Sequence, residues 1–217
     1  MKEEDQKQEI TRSLRLITKI FEECQSEYRI LGSLILVAHK HIIFRRINDI
    51  DILLDRKSQQ AIFKKVIECG FVLKKKSWGG FIWTEAYKEN FLSLTFFLTG
   101  EFIPQYFSYP FMKWCELRIK ADYLQPTRYT FNNISFIGIP LSSAISGIYQ
   151  AFLNPKRSLD KRLLSEEIKT IKVKPYGNIY VCIAGIRIPY LYDVFSFFYN
   201  IYGGLRVTFG KKYEAWD

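Results

Sequence analysis

The spacing of apolar residues changes along the first third of the chain from a helical period to a strand period. One apolar set is spaced four, three and four positions apart: Ile10, Leu14, Ile17 and Phe21. This spacing predicts an amphipathic helix over residues 6–26. Within residues 48–54, Asp49 and Asp51 alternate with Ile50, Ile52 and Leu54, which predicts a strand with its Ile and Leu face in the core.

The segment after this strand predicts a helix and then several antiparallel strands. Ser58 is expected to cap a helix that runs to Cys69, and Gly70 is expected to end it in a left-handed conformation. The residues expected to face inward are Ala61, Ile62, Val66 and Ile67. Strands are predicted over 71–73, 81–87 and 91–98, the last two joined by a hairpin-type connection at 88–90.

Beyond Gly100 the pattern is interrupted by prolines and has fewer regular periods. The predicted elements there are a strand at 134–139, helices at 141–153 and 158–169, and two strand-like pieces within 179–188. The order of elements predicts an α+β (α/β) fold, with a mixed sheet flanked by helices and a C-terminal helical and short-strand extension. We expect a core at residues 1–125 and a second subdomain at 126–217.

Composition and charge restrict the class of protein. The 217 residues carry a formal charge of +10, with a sequence pI near 9.3. A basic surface favours anionic partners such as nucleotides, RNA or another acidic acceptor. The N-terminus is polar, unlike a signal peptide, and no apolar run is long enough for a transmembrane segment. We therefore expect a cytoplasmic protein.

The strongest chemical signal is a pair of acids close to a glycine turn. Asp49 and Asp51 lie two positions apart on the alternating strand, so their side chains point the same way, with Cβ atoms about 7 Å apart. Two such carboxylates suit Mg²⁺ bound jointly by the protein and a triphosphate. Gly32 and Ser33 can offer backbone amides and a hydroxyl to phosphate oxygens. Together these groups favour phosphoryl or nucleotidyl transfer.

Leu31-Gly32-Ser33 followed by Arg46-x-x-Asp49-Ile50-Asp51 resembles the signature of the nucleotidyltransferase superfamily related to DNA polymerase beta. The variant with Arg before Asp-Ile-Asp is similar to minimal and uncharacterised bacterial members, some of them toxin-like. The resemblance implies that Asp49 and Asp51 are catalytic and bind the metal. It also implies that Gly32, Ser33 and Arg46 bind the nucleoside triphosphate.

A weaker resemblance lies downstream, where residues 156–160 are similar to a Lys-x-x-Asp segment on a C-terminal helix of these proteins. It implies that Lys156 or Arg157 contacts the triphosphate and that Asp160 holds the helix in place. The resemblance extends over roughly residues 28–165.

One departure concerns a third carboxylate, which the family places on a later strand. Here Ser93 and Thr95 share the polar face of the strand at 91–98, and Thr95 or Ser93 stands at the third-acid position. Three explanations follow. Glu85 or Glu101 supplies the missing acid, two carboxylates suffice, or the protein binds nucleotide without turnover.

The sequence therefore leaves several functions open. The first is a Mg²⁺-dependent nucleotidyltransferase that acts on an acceptor hydroxyl or phosphate. The second is a catalytically impaired nucleotide- or RNA-binding protein of the toxin–antitoxin kind, and the third is a sugar- or choline-phosphate transferase on the same fold.

Two further segments carry lesser predictions. Aromatic residues crowd the segment 190–202. As a helix they would cover nearly its whole circumference, so we expect the segment to be buried in the fold or in a homodimer interface. Lys74, Lys75 and Lys76 next to Trp78 fit either a single-stranded nucleic acid or an ordinary solvated strand end.

Overall fold

The computed structural model describes residues 3–78, 81–100, 102–103, 106–112, 114–150, 155–173, 176–198 and 201. The helices are α1 (Glu3–Glu23), α2 (Ser33–Lys40), α3 (Gln59–Glu68), α4 (Leu141–Gln150), α5 (Pro155–Leu163) and α6 (Ser165–Thr170). The first strands are β1 (Tyr28–Ile30), β2 (Asp49–Asp55), β3 (Val72–Trp78), β4 (Phe81–Tyr87), β5 (Ser93–Thr99) and β6 (Phe102–Ile103). The later strands are β7 (Tyr106–Met112), β8 (Cys115–Lys120), β9 (Thr127–Phe131), β10 (Ile134–Gly138), β11 (Ile179–Ile183) and β12 (Ile186–Ile188).

A mixed seven-stranded sheet forms the centre of the fold. Its strand order is β3-β4-β5-β2-β1-β10-β9, with β2 parallel to β5 and β1 parallel to β10. The remaining neighbours are antiparallel. This arrangement confirms the predicted α+β class with a mixed sheet flanked by helices.

The two faces of the central sheet have different chemistry. One face is apolar and packs against α1 and α3, where Phe21 of α1 stacks on Tyr28 and Phe63 of α3 contacts Phe96. Ile50 and Ile52 point to this face and are fully buried. The other face carries the alternate residues of β2, β4 and β5, and these are mostly polar.

A second, antiparallel sheet has the order β12-β11-β8-β7-β6. It packs against one end of the polar face, where Tyr109, Leu117 and Val181 form a small core with the partly buried Phe81 and Phe97. The Tyr109 hydroxyl donates a hydrogen bond to the carbonyl of Ile82, 2.6 Å away. The end of the polar face that carries Asp49 lies away from this packing.

Each sheet can be compared with the boundary expected between residues 125 and 126, although the division into subdomains stays a prediction. Strands β9 and β10 belong to the central sheet although they follow that boundary, and β6, β7 and β8 belong to the second sheet although they precede it. The sequence pattern also missed β7, because Pro110 interrupts it. The strand accommodates this proline at a register shift between Pro110 and Met112, where the ladder is irregular.

The predicted helix at 58–69 is correct, but its details differ from the prediction. Ser58 makes no side-chain cap, and the turn that leads into α3 is instead capped by Asp55, which accepts from the amide of Lys57 at 2.9 Å. Ala61 and Ile67 are exposed rather than buried. The helix buries only a narrow stripe, because one side of it borders solvent rather than a second layer. Gly70 has a φ of 86°, as predicted.

The aromatic segment is helical over residues 191–198, but it is not buried inside the fold. Tyr190, Phe195 and Phe198 expose 60% or more of their surface. The expectation of burial within the fold is wrong for these residues, and a homodimer through this segment stays a prediction. No helix within the described residues is both long enough and apolar enough to span a membrane.

Candidate active site

Two aspartates stand on the polar face at the middle of the central sheet. Asp49 is exposed and Asp51 is partly buried, while the intervening Ile50 is buried on the other face. At the rise of a β-strand, their Cα atoms are about 7 Å apart. The apolar face fixes this geometry, because a shift of one residue would turn Ile50 and Ile52 towards solvent.

The glycine turn lies directly against the second aspartate. The amide of Leu31 donates to the carbonyl of Asp51 at 2.8 Å, which extends the pairing of β1 and β2 to the turn. Gly32 has φ 72° and ψ −147°, a conformation that is essentially limited to glycine. A Cβ atom at this position would lie 3.0 Å from Oδ2 of Asp51. The structure therefore brings Gly32, Ser33 and the Asp51 carboxylate together.

Helix α2 begins immediately after this turn, at Ser33. Its first backbone amides have no partner within the helix and carry the positive end of the helix dipole. Such a helix start is suited to an anion, and here it adjoins a carboxylate pair that could bind a cation.

The arginine that is buried in this region is Arg45. Arg45 is 7% exposed and pairs through Nε with Oδ1 of the fully buried Asp160, at 3.0 Å. Its Nη2 also donates to the hydroxyl of Ser33. Arg45 therefore joins the glycine turn to α5, and sequence reasoning missed this role. A signal was present, because Ile43, Arg45 and Ile47 are buried in alternation.

The other predicted phosphate-binding residues lie in different surroundings. Arg46 is exposed and lines a groove beside the aspartates. Lys156 and Arg157 lie on α5, but their side chains fall outside the described part of the chain. The contact of Asp160 with Arg45 places this helix next to the glycine turn. Roles of these three residues in nucleotide binding stay predictions.

The strand register identifies the residues beside the aspartates. Ser93 of β5 pairs with Asp49, and Thr95 pairs with Asp51. Neither is an acid, but Thr95 pairs on its other side with Glu85 of β4. Asp51, Thr95 and Glu85 therefore form one row across three strands and share the polar face. The Cα atoms of Asp51 and Glu85 are about 10 Å apart at the usual strand spacing.

Neighbouring donors hold the Glu85 carboxylate. Trp83 Nε1 donates to Oε1 at 2.8 Å, and the Tyr87 hydroxyl donates to Oε2. Lys76 Nζ lies 3.9 Å from the same Oε2. Glu101, the other acid expected as a substitute for the third carboxylate, lies outside the described residues.

A groove with a volume of about 640 Å³ opens beside Asp49. We call it the basic groove. Its lining includes Arg46, Asn48, Lys74, Tyr87, Lys88 and Ser93. Ser93, the register partner of Asp49, marks where the groove meets the aspartate pair.

The two histidines lie at the opposite end of α2 from the glycine turn. His39 Nε2 is 3.0 Å from Oε1 of Glu167, and Lys40 Nζ is 2.5 Å from the same oxygen. Burial raises the pKa of Glu167, but hydrogen bonds from Lys40, its own backbone amide and His39 together hold this pKa below its ordinary value. This cluster ties α2 to α6.

The donor set fits Mg²⁺ bound with a triphosphate. Among the described residues, no three His, Cys, Asp or Glu side chains cluster as a complete metal site. Mg²⁺ commonly takes one or two carboxylates and completes its shell with phosphates and water. Asp49 and Asp51 meet this requirement, and the Asp51 carboxylate lies against the glycine turn.

The chain is similar in structure to two antibiotic-modifying enzymes. The crystal structure of the lincosamide antibiotic adenylyltransferase LnuA with lincomycin has a TM-score of 0.58 at 17% identity, over 71% of this chain and 95% of that one. ANT(2″)-Ia in complex with adenylyl-2″-tobramycin has a TM-score of 0.52 at 13% identity, over 72% of this chain and 91% of that one. A solution structure of ANT(2″)-Ia has a TM-score of 0.54 at 14% identity, over 73% and 85% of the two chains.

No protein-family model matches the chain, and no curated protein matches its sequence significantly. The structural likeness shows that the chain has the nucleotidyltransferase fold. The resemblance inferred from the Gly-Ser turn and the Asp-Ile-Asp strand is therefore confirmed at the level of the fold.

The Arg45–Asp160 pair yields a stability prediction. We expect Asp160→Ala to lower the free energy of unfolding by about 3–5 kcal/mol, because it leaves a buried guanidinium without its counter-charge. Urea unfolding followed by circular dichroism measures this change.

A matched control is Glu68→Ala, which removes the partner of Lys64 from an exposed pair on α3. It should cost less than about 1 kcal/mol. Replacing both members of the buried pair, Arg45→Met with Asp160→Leu, should recover most of the loss. Equal small losses for Asp160→Ala and Glu68→Ala would show that the Arg45 pair does not hold α5 to the turn.

Proposed function

We propose that this protein transfers a nucleoside monophosphate from a nucleoside triphosphate to an acceptor hydroxyl or phosphate. The observation that carries the proposal is the contact of the Asp51 carboxylate with a turn that only glycine can form, on a nucleotidyltransferase fold. A cation held by the carboxylates and a triphosphate held by the turn would then meet in one place.

The phosphate side of the site is formed by the turn and the start of α2. The backbone amides at Gly32 and Ser33 bind the β- and γ-phosphates at the positive end of the helix dipole. Arg45 orients the Ser33 hydroxyl through their hydrogen bond. Arg46, Lys156 and Arg157 add positive charge, which offsets the charge of the triphosphate.

Asp49 and Asp51 would hold Mg²⁺. When bound, the ion supplies positive charge to the oxygens of the transferred phosphoryl group and of the leaving group. These two carboxylates would place the ion between the turn that follows β1 and the polar residues of β5.

The acceptor oxygen attacks the α-phosphorus, and the new P–O bond replaces the bond to the bridging oxygen of the β-phosphate. Pyrophosphate leaves towards the turn, in line with the attack. Glu85 takes the acceptor proton, because it lies in the same row as Asp51 and the intervening Thr95 has no carboxylate. Its bonds from Trp83 and Tyr87 keep the carboxylate on the polar face.

A second candidate is nucleotide binding without turnover. The observation that favours it is the presence of Ser93 and Thr95 where the family places an acid. The two candidates predict the same triphosphate binding but differ in whether a product forms.

We expect Asp51→Asn to weaken the binding of magnesium–ATP by about tenfold or more, because a neutral amide loses the charged contact to the cation. Isothermal titration with ATP and the other triphosphates measures this loss.

Asp55→Asn is the control, since Asp55 lies on the same face of the same strand, at the other end. It should bind as the wild type does. Equal binding by wild type and Asp51→Asn would remove this carboxylate from the site.

We expect Glu85→Gln to lower kcat by about 10²- to 10⁴-fold, the range for loss of a general base. The KM for the triphosphate should change little, because Glu85 faces the acceptor rather than the phosphates. The assay measures transfer of labelled nucleotide to RNA, lincomycin and tobramycin as trial acceptors.

Glu68→Gln on α3, across the sheet from the site, serves as its control and should leave both constants unchanged. Full turnover by Glu85→Gln would show that two carboxylates suffice. Triphosphate binding without any product from the wild type would favour the second candidate.

A further inference from the structure

The strand order separates two features on either side of the aspartates. In the order β4-β5-β2-β1, the glycine turn follows β1 and the basic groove lies along β5, β4 and β3. Asp49 and Asp51 on β2 stand between them. The groove and the turn therefore face the carboxylates from opposite sides.

In-line transfer assigns different substrates to these two sides. The attacking oxygen and the leaving oxygen lie roughly in line through the phosphorus atom. Because pyrophosphate occupies the turn in the proposed function, the acceptor must approach from the side of β5. The basic groove opens on that side, and Ser93 connects it to Asp49.

The charge of the groove restricts which acceptor fits. Three cations line it, Arg46, Lys74 and Lys88, against one carboxylate, Glu89. Arg46 and Lys74 are exposed, so their charges are available to a bound molecule. An acceptor that carries several amines would meet like charges here, whereas a phosphate would be attracted.

Aromatic rings lie among these cations. The Lys74 ammonium is 5.6 Å from the centre of the Tyr87 ring, and Lys88 is 4.5 Å from that of Phe91. Lys88 also donates to the carbonyl of Cys69 at 2.8 Å, which fixes its position. Aromatic rings interleaved with cations bind bases and phosphates together, and a volume of about 640 Å³ suits a unit of that size.

We propose that the acceptor is a phosphate-bearing nucleotide unit, either free or at the end of a single strand, whose hydroxyl reaches the aspartates from the basic groove. The inference rests on the proposed function, and it names the substrate class for the acceptor side of that same site. Lys74 and Arg46 contact the phosphate, and Tyr87 offers its partly exposed ring to the base.

The test measures binding to protein whose triphosphate site is saturated with magnesium and a non-hydrolysable triphosphate. Titration calorimetry compares adenosine, adenosine 5′-monophosphate, a short oligoadenylate and tobramycin. We expect the monophosphate or the oligoadenylate to bind about tenfold or more tightly than adenosine, as one charge-assisted contact predicts. Similar binding of the two would assign a free nucleotide, and much tighter binding of the oligoadenylate would assign a strand end.

Lys74→Glu and Lys75→Glu form a matched pair of variants, because both lysines are exposed on β3 and point to opposite faces. Lys74→Glu should weaken binding of the phosphate-bearing ligand about tenfold. The slope of the logarithm of the binding constant against the logarithm of the salt concentration should fall by about one, as for the loss of one phosphate contact. Lys75→Glu should leave both unchanged. Equal losses in the two variants, or equal binding of adenosine or tobramycin, would overturn the inference.

The outcomes also separate this inference from the proposed function. The protein could bind the phosphate-bearing ligand through Lys74 and yet transfer nucleotide to no acceptor. That result would contradict the proposed nucleotidyl transfer but not ligand binding in the basic groove. Transfer to tobramycin that depends on Asp51, without binding of any phosphate-bearing ligand, would count against the groove alone.

Discussion

The candidate site depends on one close approach, that of the Asp51 carboxylate to the backbone of Gly32. The hydrogen bond from the Leu31 amide to the Asp51 carbonyl sets the position of the turn, and the absence of a side chain at Gly32 lets the carboxylate lie against it. Both neighbouring elements are fixed by burial, because Ile30 and Ile52 face each other in the core. A strand pair and a helix start thus bring a cation-binding group and an anion-binding group together.

A second constraint comes from the far part of the chain. Asp160 is separated from Arg45 by 115 positions, yet the pair is buried and Arg45 also reaches Ser33. A buried ion pair adds little net stability compared with apolar residues, but removal of one partner alone strongly destabilises the protein. The ion pair instead fixes the position of α5 relative to the glycine turn, because the Arg45 guanidinium binds both Asp160 and Ser33.

The sequence was most informative where one period continued over a whole element. The alternation around Ile50 predicted β2 and the shared face of its two aspartates, and the helical spacing around Leu14 predicted α1. The two strand-like pieces within 179–188 correspond to β11 and β12, but β6, β7 and β8 of the same sheet were missed, because Pro110 and short segments interrupt the alternation there. The sequence did not indicate the ion pair of Arg45 with Asp160, because the two residues are 115 positions apart.

Exposure was also difficult to infer from composition alone. A helix with aromatic residues on nearly all sides is expected to be covered, but Phe195 and Phe198 are exposed in the single chain. The row from Asp51 to Glu85 could not be found either, because it requires the pairing of β4 with β5 and of β5 with β2. The register between two strands depends on how they pair in the folded protein, so the pattern within each strand does not determine it.

The most direct test of the central claim compares alanine at two glycines with positive φ. Gly32→Ala and Gly70→Ala both carry backbone strain, but only the first places a methyl group 3.0 Å from the Asp51 carboxylate. Titration with magnesium–ATP should show binding weakened by about tenfold or more in Gly32→Ala and nearly wild-type binding in Gly70→Ala. Wild-type binding by a folded Gly32→Ala protein would contradict the account.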